Sequence, residues 1–555
     1  MKKPSQKLWG IVGLFLAVVL SVTVVSCGSG TSGGAASGGG GSGIDGGSGG
    51  GSSGGDTTTA GVRPPGLPPS VDNPTLKLVS QFAVRVNGIV DVSGSLTNSA
   101  TGEASAGTAV TILIIHKDDT ENPIASETVT TDAIGAFIAT LSGVSDGDKI
   151  YAAAVGSNMT IDTIILEGVV KTIAGVATPP DPADFNSFPM PGNSVDGVWN
   201  AASGTQATFA SPYGLEIDAA GENLYVAEVT DCKIRKLSLL TGEVTTIVGA
   251  PSGGQLCGDK ETDETPGMMG FARDLAIDEK YIYIADFVNN KIRRATIATG
   301  ALETFVGPAS SGTTIPLDQE DPNGTKGCAD GIGTAARFCQ PFGIDITPDG
   351  KSLIVADTHC GNRIRKVDIA TRAVTTLAGP SCSVGNVAGG FVDGASQTAR
   401  FNMPESLSVD ENNQYVYVSD AGNNAIRRIS LDTGATITVV GGGSAGDADG
   451  SPGTTATLND PFGTVIDPTN TLLYTLDLDN NKIRRSVILN DVYETITFAG
   501  PPAGDTTAGC NDGTATGSSS VDPPRFGHPA ALVVAPDGRA LYVTDSSCNT
   551  LRKIE

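Results

Sequence analysis

The side chains able to do chemistry are few, and their spacing limits what that chemistry is. Three histidines, His116, His359 and His528, are scattered along 555 residues. A catalytic zinc centre takes three side-chain ligands, usually including two His, and only His359 and His528 lie in the C-terminal two thirds. Neither a His-Glu-x-x-His helix, a phosphate-cradling glycine loop nor a Gly-x-Ser-x-Gly elbow in a strand-turn-helix context occurs. Asp477, Asp479 and Asn481 put oxygen ligands at alternate positions, as a calcium loop does. Such a loop then needs Gly at its sixth position and Glu at its twelfth, where this chain has Lys482 and Ile488. The residues therefore predict no cofactor, with calcium left open but unsupported by a matching loop. Asp447-Ala448-Asp449-Gly450 reads as an Asp-Gly turn, which recurs at Asp196, Asp330, Asp393 and Asp512.

The charged residues that recur most regularly are six acids, Glu228, Asp286, Asp357, Asp420, Asp477 and Asp545, and six arginines, Arg235, Arg293, Arg365, Arg427, Arg484 and Arg552. Each acid ends an apolar, β-rich run such as Tyr417-Val418-Ser419. A turn rich in Asn, Asp, Gly or Cys follows, and then a second run opening on Ile-Arg or Leu-Arg. This is a hairpin signature, and six copies imply units arranged in series or in a ring. A feature present in every unit is structural, whereas an active site in a ring is unique. The acids and arginines are therefore expected to tie the second strand of each unit to the third.

Composition agrees with an all-β chain: 73 Gly, 5% aromatic residues and a net charge of −25. That acidity argues against a nucleic-acid partner. Lys2, Lys3 and Lys7 precede an apolar run from Leu8 to Val25 that ends at Ser26-Cys27, an export signal that resembles the lipobox of bacterial lipoproteins. The resemblance implies a signal peptide at 1–26, lipid on Cys27 and an envelope location, with the outer membrane favoured by Gly28. Residues 27–71 are rich in Gly, Ser and Pro, a flexible tether with a reach of roughly 35 to 40 Å. Residues 72–168 alternate strand and turn signals and resemble an immunoglobulin-like or carboxypeptidase-regulatory-like β-sandwich. His116, at the end of a strand there, reads as a solvent-facing residue.

In residues 169–555 the units show Asp393-Gly394, then Ala399-Arg400-Phe401-Asn402-x-Pro404, then Leu407-x-Val409-Asp410, Tyr417-Val418-x-Asp420 and Asn424-x-Ile426-Arg427. This pattern resembles NHL repeats, and the resemblance implies a β-propeller of four-stranded blades. Six copies of the first three strands are present, the last ending next to Glu555, so its outer strand is missing. Residues 170–175, Val-Lys-Thr-Ile-Ala-Gly, read like that strand and are expected to close a six-bladed ring and remove its open edges.

In a propeller the turn between strands two and three and the connection between blades emerge on one face. Of the nine cysteines, eight lie in this region, and an even number in an exported domain suggests disulfides. The expected pairs are Cys328 with Cys360, Cys510 with Cys548, Cys232 with Cys257, and Cys339 with Cys382. Function must lie where the copies differ. The opening residues of the channel-lining strands vary most: Tyr213, Arg273 with Asp274, Phe342, Glu405 with Ser406, Phe462, and His528 before Pro529. They are candidates for a polar and aromatic mouth for a ligand, with ordinary divergence of exposed or packing positions as the alternative. The function these features predict is a lipid-anchored envelope module that binds a protein or glycan without catalysis. The alternative is a metal-dependent propeller hydrolase or lyase, lactonase-like, using channel carboxylates.

Overall fold

A computed structural model describes residues 76–85, 89–98, 101, 104–115, 123–133, 136–142, 149–154, 159–163, 169–175, 194–199, 206–250, 257–261, 267–311, 326–359, 361–382, 388–489, 491–502, 504–514 and 524–554. All of these residues belong to one compact unit, Val62–Glu555. The signal peptide, Cys27, the tether, His116 and Cys360 lie outside the described residues.

Seven strands come first: β1 (Leu76–Arg85), β2 (Ile89–Asn98), β3 (Ala109–Ile115), β4 (Pro123–Thr130), β5 (Ala136–Ser142), β6 (Lys149–Ala154) and β7 (Met159–Thr163). They form two antiparallel sheets, ordered β1-β2-β5 and β4-β3-β6-β7. Leu96 and Phe137 in the first sheet and Val110, Ile112, Ala152 and Ala154 in the second are buried.

The rest is a six-bladed β-propeller. Its channel-lining strands are Pro212–Ile217, Ala272–Ile277, Pro341–Ile346, Pro404–Val409, Pro461–Ile466 and Pro529–Val534. Each packs beside the next, and the sixth packs beside the first. In the sixth blade the outer position is filled by β8 (Val169–Gly175), which pairs with Thr550–Ile554 in the register Ile554↔Val170 to Thr550↔Gly175. Both ends of the propeller sequence thus share one sheet. Three blades carry a fifth, two-residue strand on their outer edge, at Gly197–Val198, Gly331–Ile332 and Gly513–Thr514.

Two local features explain why the blades repeat. The residue before strand three adopts a left-handed backbone in all six blades (Cys232, Asn290, Asn362, Asn424, Asn481 and Asn549, φ from 43° to 56°), and Asn tolerates that region better than other residues with a Cβ. Four of these Asn side chains also accept an N–H from the following blade, at Gln340, Met403, Asp460 and, across the closure, Ser211. The blades also need close approach at the axis. A Cβ on Gly343 would lie 2.4 Å from the Glu405 carbonyl oxygen.

The recurrent arginines are fully buried, and five of them clasp two carboxylates. One is the acid ending strand two and the other is the Asp of the Asp-Gly turn: Arg235 with Glu228 and Asp196, Arg365 with Asp357 and Asp330, Arg427 with Asp420 and Asp393, Arg484 with Asp477 and Asp449, Arg552 with Asp545 and Asp512. Arg293 departs, pairing with Asp259 at 2.8 Å, while Asp286 is held by Asn289 and the Gly270 amide. Four guanidinium groups also lie 5.2 to 5.5 Å from a Phe ring, at Phe209, Phe338, Phe401 and Phe526. The repeated chemistry is thus consumed inside the blades.

Candidate functional site at the centre of the loop face

The strand-two to strand-three turns, the inter-blade connections and the openings of the channel-lining strands share one face, here termed the loop face. The disulfides lie on it too. Cys232 bonds Cys257 and Cys510 bonds Cys548. Cys328 bonds Cys382, which corrects the expected Cys328–Cys360 and Cys339–Cys382 pairs. The reason is the fifth strand: Gly331 pairs with Val374 of the outer strand Ala373–Ala378, so Cys328 runs beside the end of that strand rather than the turn. Cys339 is also disulfide-bonded. Cys232 stands where five blades have Asn, and its bridge reaches the connection leading into the second blade. There a covalent bond does the work of the Asn hydrogen bond.

Tyr213, Phe342 and Phe462 converge at the axis with ring centroids 5.3 to 6.3 Å apart, edge to face. They are 5 to 6% exposed, so the expected mouth is a plug. Arg273 lies over it, its guanidinium 4.8 Å from the Tyr213 and Phe287 centroids and 5.1 Å from that of Phe342. His528 packs 6.2 Å from both Tyr213 and Phe462, with Nδ1 against the Ser546 hydroxyl at 3.0 Å. Burial, with Arg273 nearby, holds this imidazole down to about 4. The Ser406 hydroxyl accepts the Thr464 amide at 3.2 Å, and Asp274 accepts the Leu275 and Ile344 amides. These last two close the free edges of neighbouring strands.

Glu405 differs from the others. It is 6% exposed, and its Oε2 has no hydrogen-bond partner. Burial, and then the Asp460 carboxylate, push its carboxyl up to about 8 against the opposing pull of Arg273. Burial raises Asp460 to about 6, helped by Asp479 and Asp477.

Sequence reasoning missed Phe287, Val229 and Leu478, which complete the plug. Each directly follows the strand-two acid, a second column that varies between copies and is readable by alignment of the units. It also missed Asp460, and it weighed Asp479 only as an oxygen ligand of a calcium loop that does not match. Deeper in the channel, Glu216 and Asp345 join Asp274 on the first three blades. Burial is the main cause raising all three, with Asp274 at about 8 and Asp345 at about 7. Asp345 accepts the Ile346 and Val409 amides. Among the described residues, no group of three or more His, Cys, Asp or Glu side chains is placed to hold a metal ion. Trp199 packs onto the hydrophobic cluster between the sixth and first blades.

No protein-family model matches the chain. A curated relative, NHL repeat-containing protein 2 of Bos taurus, is 28% identical over 314 residues, covering 53% of this chain and 40% of its own length. The chain thus spans about two fifths of that relative. Among solved structures, a protein of unknown function from Bacteroides thetaiotaomicron is similar at a TM-score of 0.49 and 15% identity, over 88% of this chain and 98% of that one. An auxiliary nutrient binding protein of the same organism gives 0.48 and 15%, over 88% and 99%. The chain is an all-β protein whose six blades form a β-propeller, and it has NHL-repeat homologues.

Proposed function

We propose that the chain is a lipid-anchored cell-envelope module that presents the loop face of its propeller to a protein or glycan. One observation carries this reading: the residues that differ between repeats meet at the centre of one face, while those that recur are spent on buried ion pairs. Disulfides on that same face stiffen its connections and lower the ordering cost of binding. Cys27 supplies the anchor, residues 27–71 the tether, and the two sheets at 72–168 a sandwich spacer that holds the propeller away from the membrane.

The alternative, a metal-dependent hydrolase or lyase, would draw on Glu216, Asp274 and Asp345. Asp274 and Asp345 already give both oxygens to strand amides, which favours binding over catalysis. Mass spectrometry of protein extracted from membranes tests the anchor, since Cys27→Ser is expected to abolish the lipid adduct. Capture from envelope extracts and glycan arrays test the ligand; retention of all captured material by a protein mutated across the loop face would overturn the reading. Stoichiometric metal in the purified protein would revive the alternative.

A further inference from the structure

Three carboxylates lie in sequence across the loop face at the fourth and fifth blades. Glu405 opens the channel-lining strand of the fourth blade, Asp460 immediately precedes that of the fifth, and Asp479 sits in the turn after Asp477. The Leu478 amide donates to the Asp460 carbonyl oxygen at 3.3 Å and the Asp479 amide to that of Asn459 at 3.2 Å, which sets Asp479 beside Asp460, and the Asp460 carboxylate in turn helps raise the Glu405 carboxyl. Tyr213 feels both Glu405 and Asp460, which places the group beside the aromatic plug. Asp477, by contrast, is neutralised by Arg484. Among the described residues, no ion pair or hydrogen bond engages the carboxylates of Asp460 or Asp479, and the Oε2 of Glu405, in a residue 94% buried by its 6% exposure, has no partner. The nearby cation, Arg273, is seated over three rings.

A buried carboxylate oxygen without a donor is unfavourable. A ligand that supplies one recovers that cost; the Asp460 and Asp479 carboxylates set its sign, and a cation beside Glu405 favours loss of the proton that burial holds there up to about 8. A point-like metal ion does not suit them, because they are not gathered into a ligating group. A cation with several N–H donors spread over a larger volume does. Met403, 40% exposed and two residues before Glu405, is available as an adaptable apolar contact for an aliphatic stem.

We propose that Glu405, Asp460 and Asp479 form a recognition site for an organic cation, an ammonium or guanidinium group on an aliphatic or peptide stem. The inference rests on reading the loop face as the binding face and names the chemistry it selects. Its source is either a free amine or a Lys or Arg side chain of a partner protein.

Calorimetric titration of the full-length protein with cadaverine, methylguanidine, and short acetylated Lys and Arg peptides tests this, with N,N′-diacetylcadaverine as the neutral control. Saturable binding of the cationic probes is expected, weakened by salt. Asp460→Asn with Asp479→Asn is expected to lower affinity by about tenfold or more, and Glu405→Gln to lower it as well. Asp537→Asn, in an exposed turn between the first two strands of the sixth blade, is expected to change nothing. Asp479 is exposed and Asp460 half-buried without a hydrogen bond to its carboxylate, so the isosteric double variant leaves the fold's contacts in place, and its thermal midpoint checks this. Diamine binding as tight as peptide binding identifies a small-molecule source, and tighter peptide binding a protein segment. Absence of saturable binding by every cationic probe, or equal binding by the double variant, overturns the proposal. If a partner is nonetheless captured through the loop face, only the cation inference falls; if none is, the binding-face reading falls with it.

Discussion

The two faces of the propeller are stabilised by different means. On the face opposite the loops, turns between strands one and two close on themselves, although the Glu411 amide also reaches Asn470 in the turn of the next blade. Asp410 accepts the Gln414 and Tyr415 amides, Asp467 those of Thr471 and Leu472, and Asp218 those of Glu222 and Asn223. All these partners lie within five residues. On the loop face the partners are distant: Arg427 reaches Asp393, Asn549 reaches Ser211 across the ring closure, and Cys328 reaches Cys382. Where such a turn lies open, as at Asp218 with the exposed Glu222, water can replace a lost bond. The distant contacts tie a connection to its own blade or, at Asn549, one blade to the next, and their loss leaves buried groups such as the Arg427 guanidinium short of a partner. The loop face is thus the costlier one to assemble, and it is also where the repeats diverge.

This contrast is open to direct attack. Arg427→Met should be the most damaging single change, costing about 3 to 5 kcal/mol because Asp420 is left buried without its cation; urea unfolding would register it as a lower midpoint. A loss equal to that of a turn-face variant would abolish the distinction between faces. Removing the Cys232–Cys257 bridge by double Ser substitution should cost about 2 to 4 kcal/mol, read as a thermal midpoint that no longer depends on reductant at this bridge.

The third change is in pH. Glu405 and Asp274 titrate at about 8 and Asp345 at about 7 in the folded chain, all above their ordinary values. Between those ordinary values and about 8 the folded state therefore holds more protons than the unfolded state. Their contribution is complete below the unfolded values and is lost as pH rises through 7 to 8. The melting temperature is expected to be higher at pH 5 than at pH 9, and Glu405→Gln to flatten that slope. The opposite slope would show that these carboxyls are ionised in the fold. The smallest effect should come from Asp218→Ala on the turn face, whose amide partners are the exposed Glu222 and the half-buried Asn223, about 1 kcal/mol by chemical denaturation.

How much of this was legible follows the same division. The six units, their strands and the Arg–acid pairs were readable because each depends on residues recurring at fixed places in every unit. The disulfides were readable as a class but not in detail. Cys257, Cys328 and Cys510 each stand two residues before the turn Asp, yet they bond a preceding blade's turn, the end of an outer strand and their own blade's turn. Equivalent sequence positions reach different partners because the connections differ in length and path. The variable channel positions were also identifiable, but their burial was not. Phe287, from another column of the repeat, covers Phe342 at 5.9 Å, and only the assembled ring brings those columns into contact.

The sequence by itself determined the blades, since β-run, acid, left-handed Asn and Ile-Arg are instructions acting within one unit. Tertiary structure alone decided that the axis is plugged by Tyr213, Phe342 and Phe462, and that Glu405 is left beside Asp460 with an unsatisfied oxygen. The physical reason is that burial and electrostatic coupling at the axis depend on all six blades at once. No single repeat records what its five neighbours bring to the centre.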